Sequence, residues 1–134
     1  MADLAQQFVD ALLTSDRAAL AEICTDDVEF VVPGMEGTGV DAMVQYNEMF
    51  LKAFPDASHE IVARLEAMGA IVMEVNYRGT NTGPMVTPQG ELPATGRSVV
   101  IRGCWILRTR DGKVASFHAY FDQMGFMQQL GVMG

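Results

Sequence analysis

The 134-residue chain is poor in basic residues, poor in cysteine and free of long apolar runs. Nine Lys and Arg against seventeen Asp and Glu leave a formal net charge of −8. Nucleic acid and anionic membrane surfaces both need clustered Lys and Arg, so neither is an expected partner. The basic residues present are scattered, and Arg108 with Arg110 reads as a solvated strand end. Two cysteines, Cys24 and Cys104, are too few for a disulfide framework, and their separation matches no zinc motif. Apolar residues make up 49% of the chain, but no run reaches the roughly 18 that a membrane span needs. The N-terminus lacks a basic stretch followed by an apolar one, so no signal peptide is expected and the cytoplasm is the default location. No His/Glu pair has metal-ligand spacing, and His59 and His118 stand apart, so no metal site is expected. Gly34-x-x-Gly37-x-Gly39 lacks the spacing and the Lys of a nucleotide loop, and there is no nucleophile elbow. Cys104, mid-strand among apolar neighbours, reads as an inert core thiol.

A chain of this length is expected to form one domain, residues 1–134, burying about two-thirds of its unfolded surface. Leu4, Phe8 and Leu12 follow helical spacing over about 3–13, and Ser15 or Thr14 is placed to cap a second short helix through Ile23. Val28 to Val32 reads as a strand stopped by Pro33-Gly34. A glycine-rich loop, Gly34 to Gly39, leads into a helix from about Val40 to Phe54, where Met43, Tyr46, Asn47, Phe50 and Phe54 share a stripe. An antiparallel meander follows: Ser58 to Met68, Ile71 to Thr80, Val99 to Thr109, and a last strand after Asp111-Gly112 that runs into a terminal helix. A polar loop, Asn81 to Gly96, interrupts it; loops that long often act as lids. Helices in front and long strands behind predict α+β architecture, a curved antiparallel sheet wrapped around N-terminal helices as a cone open at one end. An apolar pocket at that mouth is the default ligand site. Ten methionines suit an irregular pocket or a loosely specified core.

The last strand carries the most chemistry. Alternation sends His118, Tyr120 and Asp122 to one face, about 6–7 Å apart, and Phe117, Ala119 and Phe121 to the other. Beside an apolar pocket, Asp122 would lose hydration and gain the raised pKa of a general base. As a helix cap it would accept hydrogen bonds from the N–H groups of Met124 or Gly125, which pulls its pKa in the opposite direction. His118 can share the proton traffic or polarise a carbonyl, or be a satisfied structural histidine. Tyr120 can donate to a developing enolate, or pack with its hydroxyl at the rim. Asn47 is either a buried hydrogen-bonding fixture or a substrate contact. Glu74, Asn76 and Arg78 share one strand face, and Arg102 and Cys104 another. If those faces line the cavity, Arg78 or Arg102 can bind a carboxylate or phenolate; on the wet face of an antiparallel sheet they are ordinary surface.

This order of elements, with Gly79-Thr80-Asn81-Thr82-Gly83, Gly96-Arg97-Ser98-Val99, Arg110-Asp111-Gly112-Lys113-Val114 and Tyr120-Phe121-Asp122-Gln123-Met124-Gly125, resembles the SnoaL-like polyketide cyclases. These belong to the cone-shaped superfamily of nuclear transport factor 2 and ketosteroid isomerase, and the resemblance spans essentially the whole chain. It implies a cofactor-independent, intramolecular aldol-type enzyme acting on an apolar, carbonyl-bearing small molecule. Asp122 would be the acid/base, His118 its assistant, and Tyr120, Asn47, Tyr46, Trp105 and Arg102 the substrate contacts. It also implies a homodimer through the exposed sheet face. Asn81 stands where many relatives have histidine, which removes one proton carrier. Val32 before Pro33 lacks the isomerases' base carboxylate. Arg102-Gly103-Cys104 lacks the second acid of the limonene epoxide hydrolases, whose reaction is one alternative; a non-catalytic small-ligand binder is the other.

Overall fold

The computed structural model describes residues 3–87 and 90–132, with the backbone alone at Thr87. Two helices open the chain. α1 (Leu4–Thr14) is capped by the Asp3 carboxylate, which accepts from the Gln6 N–H, and buries Ala5, Phe8, Val9, Ala11 and Leu12. α2 (Arg17–Ile23) starts at Asp16, not at the expected Ser15 or Thr14: Asp16 accepts from Ala19 N–H, while Ser15 ends α1 in the left-handed conformation at φ 51°. Then come β1 (Cys24–Val32), β2 (Met35–Thr38) and α3 (Val40–Ala53). The segment expected as a glycine-rich loop is therefore partly a strand, paired with β1 from Glu29↔Thr38 to Val32↔Met35.

The meander follows as expected: β3 (Ser58–Ala67), β4 (Ala70–Thr80), β7 (Ser98–Arg110) and β8 (Lys113–Phe121), closed by α4 (Gln123–Leu130). The expected long loop instead contains a small hairpin, β5 (Met85–Thr87) with β6 (Gly90–Leu92); its residues 88 and 89 lie outside the described residues. The main sheet has the order β2-β1-β8-β7-β4-β3. All its pairings are antiparallel except β1 with β8, which run parallel with Phe30 beside Phe117 and Val31 beside His118. After α3 the chain crosses to the far edge and winds back, so its last strand arrives beside its first in the same direction.

The sheet wraps α1, α2 and α3. Phe8, Val28, Phe30, Met43, Met73, Leu107 and Val114 form the centre of the main core. A second cluster, Phe54, Met85, Val99, Ile101, Phe126 and Leu130, ties α3, the small hairpin and α4 to β7. Among the described residues no helix is long and apolar enough to cross a membrane.

Asn81, the departure noted above, is a structural hub and is only 2% exposed. Its Nδ2 donates to the carbonyls of Ala53 (3.2 Å) and Gly83 (2.8 Å), and its Oδ1 accepts from Thr95 N (2.9 Å) and Thr95 Oγ1 (3.0 Å). Gly83 is required beside it, because a Cβ there would overlap the Lys52 carbonyl oxygen. Asn81→Ala is expected to cost about 3 kcal/mol, since it strands buried donors and acceptors at once. A urea melt that shifts by much less would show that Asn81 does not hold the loop.

Candidate functional site

Inside the cone, between α1, α3 and the concave face of the sheet, lies a narrow cavity of about 70 Å³ that opens at the cone's mouth. It exists because the inward positions of the two central strands alternate in size. Gly103 lies across from Phe121 and Ala119 across from Trp105, so each large side chain overhangs the space left by a small one. α3 supplies Met43, Tyr46, Asn47 and Phe50, the stripe read from the sequence; β3 supplies His59 and β4 supplies Val75 and Tyr77. Among the described residues no Asp, Glu, Lys or Arg lines it.

The polar groups of this apolar chamber are phenol, imidazole, amide and indole. Asn47 donates through Nδ2 to the Leu12 carbonyl at 2.6 Å, so it ties α3 to α1 while lining the cavity. Trp105 stacks edge-on to His59 (ring centroids 5.0 Å) and to Phe117 (5.0 Å). His59 and Tyr77 face each other across β3 and β4, with ring centroids 5.1 Å apart. Burial pushes the His59 imidazole down to about 4, so it is neutral at physiological pH. Burial raises Tyr46, and burial with the nearby Asp56 and Tyr46 raises Tyr77, so both phenols keep their protons. Two buried side-chain polar atoms on residues lining this cavity, His59 Nδ1 and Tyr77 OH, have no hydrogen-bond partner among the described residues.

The residues singled out in the sequence divide between the two faces of the sheet. Tyr46, Asn47 and Trp105 line the cavity. His118, Tyr120, Asp122 and Arg102 do not, and the expectation that they border an apolar pocket is corrected by the structure. Their common face is the outer one; Phe117, Ala119 and Phe121 hold the inner one. Tyr120 is 52% exposed, and its hydroxyl lies 3.5 Å from His118 Nδ1. The Nε2 of His118 lies 3.5 Å from the Glu29 carboxylate. Asp122 is the exposed N-cap of α4 and accepts from Gly125 N–H at 2.8 Å. Gly125 permits this closeness, because a Cβ there would lie 2.5 Å from an Asp122 oxygen. Arg102 flanks Asp122 in a shallow outer groove with Val100 and Gln129. Glu74, Asn76 and Arg78 take the wet face, with Arg78 3.3 Å from Glu60. Cys104 also lies outward and half-buried; the deeply buried thiol is Cys24, pushed up to about 12 by desolvation.

The model of the SnoaL-like polyketide cyclases matches residues 2–130. The chain belongs to that family. Its fold also matches solved structures at low identity. A protein from Jannaschia sp. CCS1 assigned to the SnoaL-like polyketide cyclases superposes with a TM-score of 0.85 at 16% identity, covering 98% of this chain and 91% of that one. TsrD from Streptomyces laurentii gives 0.82 at 21%, covering 97% and 93%. An LEH-like epoxide hydrolase from M. tuberculosis gives 0.70 at 15%, covering 96% and 87%. No curated protein sequence matches the chain. Likeness at these identities establishes the fold, and one fold here carries more than one activity.

His59 and Tyr77 are the site residues that reading the sequence missed. The signal was their alternation with Ile61 and Val75 on facing strands, but His59 drew notice only as an isolated histidine without metal-ligand spacing. His59 yields a pH prediction. Its folded pKa, about 4, lies below the ordinary 6.5 of an unfolded chain, so the unfolded chain binds the extra proton between those values. The stability tied to neutral His59 is complete above about pH 6.5 and is lost as pH falls toward 4, at about 1.4 kcal/mol per pH unit. Urea melts at pH 7 and pH 5 should therefore differ by about 2 kcal/mol more for the wild type than for His59→Phe. Equal pH dependence in the two proteins would contradict the burial assigned to His59.

Proposed function

We propose that the chain is a cofactor-independent enzyme running cyclase-type acid/base chemistry on an apolar, carbonyl-bearing small molecule held inside the cone. The observation that carries this reading is the cavity's character: apolar walls, neutral hydrogen-bonding groups and no charged side chain. Such a chamber penalises a charged ligand, because nothing inside repays its lost hydration. It favours a neutral molecule whose carbonyl finds a donor. Aldol-type closure fits these terms. A proton leaves the carbon beside a carbonyl, the neighbouring carbonyls spread the charge, and the carbanion attacks a second carbonyl of the same molecule. Membership of the family supports the reaction class, and the phenols of Tyr46 and Tyr77 provide donors for the developing oxyanion.

A second reading, a non-catalytic small-ligand binder, is favoured by one observation. Asp122, the expected base, is exposed and hydrogen-bonded to its own helix, which is the arrangement of a cap. Epoxide hydrolysis is the weaker alternative, since it needs a water held between acids and among the described residues no carboxylate lines the cavity.

Trp105 is the sole tryptophan and lines the cavity, so its fluorescence reports occupancy directly. Titration with 2-tetralone, a neutral apolar ketone, is expected to change that emission, and 2-naphthoate of similar size should bind at least about tenfold more weakly. Ala119→Leu, which fills the cavity from β8, should abolish the change with circular dichroism preserved, while Asp122→Asn should leave it intact. Preference for the carboxylate, or loss of binding in Asp122→Asn alone, would overturn the assignment of the site.

A further inference from the structure

Two buried polar atoms without partners, on residues that line one cavity, are unusual, because buried polar groups are nearly always paired. His59 Nδ1 and Tyr77 OH are both of this kind, and both belong to residues lining the same chamber. Both rings are packed, His59 against Trp105 and Tyr77 against Phe50 and Phe54, but that packing gives neither polar atom a partner. A phenylalanine would fill either place without leaving a donor or acceptor unpaired. A chain that keeps an imidazole and a phenol there forgoes stability, and such losses concentrate where function requires them.

We propose that His59 and Tyr77 are the proton-handling pair of this cavity, with His59 as general base and Tyr77 as hydrogen-bond donor to the substrate's carbonyl oxygen. The assignment rests on the acid/base reading above and names the residues that carry it. The neutral imidazole takes the proton from the carbon beside the carbonyl: the C–H bond breaks, an N–H bond forms, and the electron pair moves into the enolate. Tyr77 keeps its proton and donates a hydrogen bond to the enolate oxygen. When the enolate carbon bonds to the second carbonyl of the same molecule, the resulting alkoxide recovers the proton from the imidazolium, so no proton is gained or lost overall. The pair is held in place for this. Their strands put them directly opposite each other, and Trp105 and Phe54 wall their rings at centroid distances of 5.0 Å from His59 and 5.8 Å from Tyr77. Among the described residues no charged side chain lines the cavity; Asp56, outside it, acts on Tyr77 and is itself pinned by Thr80 N–H at 2.7 Å. A base of low pKa still removes an activated proton when a donor stands at the oxyanion, as the isomerases of this fold do with a carboxylate.

The test uses 2-tetralone in deuterated buffer, with exchange of its activated C1 protons followed by proton NMR and binding followed by Trp105 emission. The wild type should accelerate exchange above buffer, with a rate flat from pH 8 to about 5 and falling as His59 protonates near 4. His59→Phe should lower exchange about 100-fold or more, to the buffer rate, while the dissociation constant stays within about threefold. Tyr77→Phe should lower it by about 10–100-fold. Asp122→Asn should not change it. Both phenylalanine variants should melt no lower than the wild type, because each removes an unpaired polar atom; a structural role would lower the melting temperature instead. Binding without accelerated exchange overturns the catalytic pair while leaving the cavity as a binding site, which is the binder reading. Exchange that survives His59→Phe overturns the assignment of the base. Failure of the wild type to bind 2-tetralone removes the reading of the cavity and the pair with it.

Discussion

One extra residue in each long hairpin decides which side chains see the cavity. β3 and β4 leave the turn at Met68-Gly69 with Ala67 opposite Ala70, and this register holds as far as Ala63 opposite Glu74. Val62 is then left unpaired, and Ile61 meets Val75. β7 and β8 do the same: Thr109 meets Val114, Ala115 is skipped, and Arg108 meets Ser116. Because side chains alternate along a strand, a one-residue slip exchanges the faces of everything beyond it. Without the first bulge His59 would point outward. Without the second, His118, Tyr120 and Asp122 would point in.

Much of the fold was legible because it rests on patterns that survive such slips. Apolar spacing placed α1 and α3 to within a residue or two, and Asp111-Gly112 marked the last hairpin, with Asp111 at φ 54° and Gly112 at φ 77°. The α3 stripe through Met43, Tyr46, Asn47 and Phe50 predicted one wall of the cavity, since a helix face depends only on local periodicity. The parity of β8 was also legible, in that His118 shares a face with Tyr120, and Phe117 with Ala119.

The orientation of that parity was not. A histidine, a tyrosine and an aspartate in alternation look like chemistry, but the opposite set, Phe117, Ala119 and Phe121, is the better guide to the concave side, because burial of apolar area decides the face. His59 escaped notice because its meaning is non-local: it acquires a partner only through a bulge at Val62 that no turn residue signals. The parallel pairing of β1 with β8 was hidden for the same reason, since it depends on the whole path of the chain. Outside, Asp122 starts α4 and Asn81 secures the loop before β7, so the polar residues of those motifs serve the frame. Inside, the same frame holds an imidazole and a phenol without partners in an apolar chamber.

The central claim is that ligand chemistry belongs to the concave face and not to the outer face bearing Asp122. Protein NMR with isotope-labelled chain and saturating 2-tetralone tests this directly. Shift changes are expected to concentrate at His59, Tyr77, Trp105 and Ala119, with His118, Tyr120 and Asp122 undisturbed. Changes centred on His118, Tyr120 and Asp122, with the cavity residues silent, would contradict it.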